Sequence, residues 1–182
     1  MKTCLLVVDL QRGFISPNTL KVVPRIKELL EKNLFDLTIF TKFANKENSP
    51  FRKILNWDKL KSSEDQELVR EVQSFASKVI NKTIYSGVND ELLMLLRENK
   101  IDMVFIAGID TDCCVLKTAV DLFEHNIPPF VLVYYAISNG GTKSHKAAIT
   151  VLERLIGINK LIKGKINKQL LEEKLGKIKS IV

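Results

Sequence analysis

The sequence has few of the features that are typical of disordered, membrane-spanning or repetitive proteins. It has only eight glycines and five prolines among 182 residues, while 46% of its residues are hydrophobic, which excludes disorder over most of the length. No apolar run approaches the ~20 residues that a membrane-spanning helix needs. Low-complexity tracts and internal repeats are also missing. These absences leave a globular chain, and its length predicts a single domain over residues 1–182.

Cysteine is scarce as well. The three cysteines are Cys4, Cys113 and Cys114, and the last two are adjacent, so they cannot form the disulfide framework of a small secreted domain. The apolar run at residues 5–8 ends at Asp9 and is too short for the core of a signal peptide. We therefore expect a mature N-terminus and a reducing, cytoplasmic setting.

Positive charge is concentrated at the C-terminal end. The chain has a net charge of +7, and residues 157–182 hold seven lysines against two glutamates. Such a basic segment suits nucleic acid or an acidic surface. It contains no aromatic residue and no nucleic-acid motif, so we interpret it as a solvated helix at about residues 164–182. We predict neither a nucleic-acid nor a membrane partner.

Apolar patterning predicts strands that alternate with helices. The expected strands are residues 3–9, 36–43, 79–80, 102–109, 129–136 and 161–162. The expected helices are residues 24–32, 63–77, 89–99, 114–125, 142–156 and 166–178. Continuous apolar strands between helices are typical of an α/β fold with three layers, a Rossmann-like parallel sheet covered by helices on both faces. Such sheets carry their active sites at the carboxyl ends of the strands.

Two polar segments follow predicted strands and are candidates for chemistry. Asp9 ends the first strand, and AGIDTDCCV (residues 107–115) is a strand, a turn and a helix start. A cysteine in the first turn of a helix faces unpaired N–H groups and the positive end of the dipole, which favour thiolate. The alternative is that the cysteine at this position is an unreactive residue of the core. We expect Thr111 or Asp112 to cap this helix.

Three motifs in order carry a resemblance to a known family. They are LVVDLQRGF (6–14), KTIYS (82–86) and GIDTDCCV (108–115), supported by TAVD (118–121) and SHKAA (144–148). In this order they resemble the isochorismatase-like cysteine hydrolases, over about residues 3–157. Composition alone would make Lys82 an ordinary solvated lysine, whereas the resemblance makes it a candidate for the active site.

The resemblance implies a mechanism and an architecture. It implies a triad in which Cys114 attacks the carbonyl of a small amide, Asp9 takes the thiol proton and Lys82 holds the pair in place. Backbone N–H groups of Asp110 and Cys114 would form the oxyanion hole, next to a cis peptide bond between Ile109 and Asp110. No cofactor is implied, and a homodimer or homotetramer is expected. Two alternatives stay open: hydrolysis of a vinyl ether, and a non-catalytic or redox protein that uses the adjacent cysteines.

The sequence also departs from the nicotinamidases of the family that it resembles. Those enzymes carry an aspartate and several histidines as metal ligands after the second strand, but residues 38–58 contain no histidine here. We therefore predict no metal site. His125 and His145 lie in late helices, and Tyr135 stands where the family often has aspartate. We expect the substrate pocket to be walled by aromatic side chains, namely Phe14, Phe43, Trp57 and Tyr85.

Overall fold

The computed structural model of the protein describes residues 1–179 and is organised around one parallel sheet. Its strands are β1 (Lys2–Val8), β2 (Leu37–Phe43), β3 (Lys78–Lys82), β4 (Ile101–Ile109), β5 (Pro129–Ile137) and β6 (Leu161–Ile162). They lie in the order β3-β2-β1-β4-β5-β6, and each neighbouring pair is parallel. The expected parallel α/β sheet is thus confirmed.

Helices cover both faces of the sheet. They are α1 (Val22–Glu31), α2 (Pro50–Lys53), α3 (Ser63–Gln66), α4 (Asp90–Glu98), α5 (Leu116–Glu124), α6 (Gly141–Leu155) and α7 (Lys168–Lys179). Because side chains alternate along a strand, β1 feeds two hydrophobic cores. Leu5 and Val7 pack in the core that includes α1, whereas Leu6 and Val8 pack in the core that includes α4, α5 and α6. This is the three-layer arrangement.

The strand order reverses beside β1. The chain moves outward from β1 to β2 and β3, and then crosses back to β4 on the other side of β1. Ligands of open α/β sheets bind at such a switch point, beyond the carboxyl ends of the strands. β1 and β4 approach closely there: a Cβ built on Gly108 would lie 2.0 Å from the Val8 carbonyl oxygen, so no larger residue fits.

One predicted helix is wrong. The pattern predicts helix over residues 63–77, but the structure has one α-helical turn at Ser63–Gln66 and a 3-10 turn at Gln73–Phe75. Between them, Leu68 forms an antiparallel bridge with Gln11, and the N–H of Val69 donates to the Leu10 carbonyl. Leu68, Val69 and Val72 are still buried, because the segment closes over the loop after β1 instead of forming one long helix.

The basic segment forms α7, close to its predicted position. Within the described residues, two of its preceding lysines make ion pairs: Lys163 with Glu153 and Lys165 with Glu28. Residues 180–182 of the predicted helix lie outside the described part. No helix within residues 1–179 combines the length and the apolar character needed to cross a membrane.

Candidate active site

Asp9, Lys82 and Cys114 come together from three different elements. Asp9 follows β1, Lys82 ends β3, and Cys114 lies in the π-helical turn Thr111–Val115 that leads from β4 into α5. Lys82 Nζ lies 2.7 Å from Asp9 Oδ2 and 3.4 Å from Cys114 Sγ. Parallel strands bring all three to one edge of the sheet, although they are up to 105 positions apart in sequence.

Asp9 is held by the neighbouring strand. The Thr41 hydroxyl donates to Asp9 Oδ1 at 2.6 Å and accepts from the Asp9 backbone N–H at 3.1 Å. Both residues are fully buried. Asp9 has a φ of 48°, in the left-handed region that few non-glycine residues adopt. The carboxylate is therefore fixed in one orientation, with one oxygen on Thr41 and the other on Lys82.

The Lys82 ammonium is enclosed by acceptors. It donates to the carbonyls of Ile84 at 2.9 Å and Tyr85 at 3.1 Å, and lies 5.1 Å from the centre of the Phe43 ring. Burial alone lowers the pKa of Lys82, but the neighbouring Asp9 and Cys114 outweigh it and raise that pKa. The raised pKa favours the charged form of this buried lysine. The prediction from composition alone, that Lys82 is solvated, is wrong.

The surroundings of Cys114 favour its protonated thiol over the thiolate. Burial raises its pKa well above the ordinary value, and Asp9 raises it further, while Lys82 acts in the opposite direction. The sequence favoured a thiolate here, because a helix start and a nearby cation both stabilise the anion. The structure reverses that direction, since the side chain is only 6% exposed and Asp9 lies beside it.

Cys113 differs from its neighbour. It is half-buried, and burial followed by the charges of Asp112 and Asp110 raises the pKa of its thiol to about 11. No hydrogen bond joins it to Asp9 or Lys82 within the described residues. All three cysteines of the chain are free.

The site opens into a cavity of about 540 Å³. Cys113, Cys114 and Asp110 line its floor, and each of the four aromatic residues expected from the sequence is in its wall: Phe14, Phe43, Trp57 and Tyr85. Phe51 also lines it and was missed, because it lies in the short helix α2, which the sequence analysis did not predict. Its ring packs edge-on to Phe43 at 4.9 Å and to Tyr85 at 4.8 Å. Tyr135 is buried and is not among the lining residues.

Asp110 and Asn139 join the ends of β4 and β5 at the cavity. Asn139 donates to Asp110 Oδ1 from its backbone N–H at 2.7 Å and from its side-chain amide at 3.0 Å. The Ile109–Asp110 peptide bond is cis, as the resemblance implied. Asn139 had no sequence signal, since an asparagine after a strand is ordinary turn chemistry.

The expected helix caps are wrong. The residue at the cap position is Asp110, and neither Thr111 nor Asp112 bonds the helix start. Thr111 Oγ1 instead lies 2.8 Å from His145 Nδ1, which ties the turn to α6. Burial lowers the pKa of His145 from its ordinary value. His125 is exposed at the end of α5, its Nδ1 2.8 Å from the Asp121 carbonyl.

The described residues do not offer a set of ligands for a metal ion. Within residues 1–179 no three His, Cys, Asp or Glu side chains gather into a possible metal site. Between β2 and residue 58 the acids are Glu47 and Asp58, and Asp58 pairs with Arg52 Nε at 2.9 Å and with Lys61.

Comparisons with known proteins give the family of this parallel α/β fold, which places a cysteine, an acid and a lysine at its switch point. The Isochorismatase domain family model matches residues 3–159. Isochorismatase family protein 1A of Dictyostelium discoideum is 26% identical over an alignment of 154 residues, and the match covers 79% of this chain and 73% of that protein. The chain belongs to the isochorismatase family of hydrolases.

Solved structures show the same fold. N-carbamoylsarcosine amidase from Thermoplasma acidophilum is 26% identical with a TM-score of 0.73, and the match covers 86% of this chain and 94% of that one. Pyrazinamidase of Pyrococcus horikoshii, solved in complex with zinc, has a TM-score of 0.76 at 22% identity, over 91% and 100% of the two chains. The expected isochorismatase-like fold is confirmed.

Proposed function

We propose that the protein is a cysteine hydrolase that cleaves the amide C–N bond of a small molecule through a thioester on Cys114. One observation carries the proposal: a buried lysine touches both a carboxylate and a thiol, and the thiol lines a cavity of about 540 Å³. An amidase among the similar structures supports the amide as the substrate class.

The first step forms the nucleophile. Asp9 accepts the Cys114 proton as the sulfur attacks the carbonyl carbon, so the thiolate exists only during attack. This order suits a resting thiol whose pKa is raised by burial and by Asp9. Lys82 keeps its charge throughout and stabilises whichever of the two partners carries the negative charge.

The second step expels the amine. Negative charge develops on the carbonyl oxygen, and the backbone N–H groups of Asp110 and Cys114, at the start of the helical turn, are the proposed donors to it. Asp9 returns its proton to the leaving nitrogen, the C–N bond breaks, and ammonia or an amine departs. The product is a thioester between the acyl group and Cys114 Sγ.

The third step releases the acid. Asp9 removes a proton from water, the water oxygen attacks the thioester carbonyl, and the same N–H groups hold the oxyanion. The C–S bond then breaks, and Asp9 gives the proton back to Cys114. The net reaction adds one water to one amide and restores the resting thiol.

A quench-and-mass experiment tests the proposal. The protein is mixed with a panel of small amides, released ammonia is measured, and acid-quenched samples are analysed by intact mass and peptide mapping. We expect ammonia release and an acyl adduct on Cys114, both absent in Cys114→Ser and present in Cys113→Ser. Turnover by Cys114→Ser, or hydrolysis with no acyl adduct in an excess of substrate, would contradict the thioester route.

A further inference from the structure

Asp110 places a carboxyl side chain where the proposed reaction builds negative charge. Its backbone N–H is a proposed oxyanion donor, and its side chain belongs to the cavity lining. Asn139 saturates Oδ1 with two hydrogen bonds, whereas no donor from residues 1–179 reaches Oδ2. One carboxyl oxygen of a mostly buried side chain is therefore left for a ligand.

The surroundings of this carboxyl raise its pKa to a value near but below neutral pH. Burial raises the pKa of Asp110 to about 6; the Asn139 hydrogen bonds lower it, and Asp112 and Asp9 raise it further. A carboxylate next to a forming oxyanion raises the barrier unless a positive charge lies between or beside them. Lys82 is already engaged by Asp9 and Cys114. The compensating charge has to come from elsewhere.

The cavity wall suits a positive ligand. Five aromatic residues line it, and the faces of such rings attract cations, most strongly after desolvation. Phe14 and Trp57 stack with centroids 6.0 Å apart, and Tyr85 is partly exposed at the rim. Lys59 is the one cationic residue among the lining residues, and it is exposed to solvent. The aromatic walls and the free Asp110 oxygen thus both favour a positively charged ligand.

We propose that Asp110 is a specificity-determining residue that pairs with a positively charged group on the substrate, so that the preferred substrates are small cationic amides carrying an ammonium or amidinium group. The proposal rests on the proposed function, because only a hydrolase would use this ligand as a substrate. The binding of a cation at Asp110, however, does not require turnover. In this proposal the positive charge that offsets the Asp110 carboxylate is carried by the ligand.

A matched set of ligands tests the sign of the charge. We choose 4-(aminomethyl)benzamide, which is cationic, 4-(hydroxymethyl)benzamide, which is neutral, and 4-carboxybenzamide, which is anionic. Binding is followed through the fluorescence of Trp57, the single tryptophan, in Cys114→Ser, where no thioester forms. Hydrolysis of the same three amides is measured with the unmodified protein.

We expect the cationic amide to bind about tenfold more tightly than the neutral one, and the anionic one most weakly. Adding Asp110→Asn should abolish the preference for the cation, Lys59→Gln should increase it, and the adjacent control Asp112→Asn should keep it. A preference for the anion, an unchanged ratio in Asp110→Asn, or no detectable cation binding at millimolar concentration overturns the proposal.

The two proposals fail separately. If the cation binds selectively through Asp110 but none of the amides is hydrolysed and no adduct forms, the proposed function fails and the recognition stands. If amides are hydrolysed through Cys114 with no preference that depends on Asp110, the function stands and the recognition fails.

Discussion

Lys82 and Asp9 form an ion pair of 2.7 Å with side chains 2% and 0% exposed. A buried pair of this kind adds little net stability, because desolvation offsets the attraction, but removal of one partner strands a charge in the protein interior. The Lys82 ammonium also donates to two carbonyls and to Cys114, and Thr41 donates to Asp9, so the pair is part of a connected network.

Single and double variants should show the coupling of this pair. Lys82→Met leaves Asp9 as an uncompensated buried carboxylate and should lower the free energy of unfolding by about 3–5 kcal/mol. The double variant with Asp9→Asn should cost clearly less than the sum of the two single variants. Urea unfolding followed by circular dichroism measures all four proteins. Strict additivity would mean that the two charges do not interact.

Asp9→Asn should remove turnover without unfolding the protein. An amide cannot take the Cys114 proton, so kcat should fall by about 10²–10⁴-fold once a substrate is in hand. Asp102→Asn is the matched control. Asp102 lies near the first residue of β4, at the end of the strand opposite to the site, and makes an exposed hydrogen bond with the Lys2 backbone. More than about a tenth of the original activity in Asp9→Asn would remove Asp9 from the role of base.

The adjacent cysteines should behave differently on substitution. Cys114→Ser should lose nearly all activity, whereas Cys113→Ser should retain most of it, since only Cys114 contacts Lys82. In Cys113→Ser, alkylation of Cys114 by iodoacetamide should have a pH midpoint above that of an ordinary cysteine, because burial and Asp9 raise the pKa of the thiol. Stopped samples are mapped by mass spectrometry. A midpoint well below neutral pH would show a resting thiolate.

Thr41 is a positioning residue for Asp9. Thr41→Val keeps the shape but leaves Asp9 Oδ1 without its 2.6 Å donor, which should cost about 1–3 kcal/mol of stability. We expect kcat to fall about tenfold, with KM little changed and the acidic limb of the kcat–pH profile shifted upward. Thr41→Ser keeps the hydroxyl and should restore both. A stability loss with an unmoved pH profile would make Thr41 merely structural.

Asp110 should give the protein a measurable pH dependence of stability. Its pKa is about 6 in the folded protein against an ordinary 3.8, so the protonated carboxyl favours the folded state. That stability is fully present below about pH 4 and is lost as the pH rises to about 6, by about 2–3 kcal/mol. Asp110→Asn, which cannot ionise, should gain relative to the unmodified protein over this window. Urea unfolding at several pH values compares the two, and parallel curves would contradict a raised pKa.

The sequence by itself determined the layers, the family and the three candidate residues of the triad. Continuous apolar runs such as β1 and β4 are typical of buried strands, and the start of α4 follows a local rule, because the Asn89 side chain caps it by accepting from the Leu92 N–H. Asp9, Lys82 and Cys114 were identifiable because motifs keep their order along the chain.

Only the tertiary structure decided the pKa direction of Cys114 and the residues that hold Asp9 and Asp110 in place. Local rules predicted a helix over residues 63–77 and a thiolate at Cys114. The first gave way to backbone pairing of Leu68 with Gln11, and the second to burial beside Asp9. The hold of Thr41 on Asp9 and of Asn139 on Asp110 was equally invisible, since each joins neighbouring strand ends about 30 positions apart. Desolvation and cross-strand hydrogen bonds depend on what the fold brings together, and no local pattern encodes them.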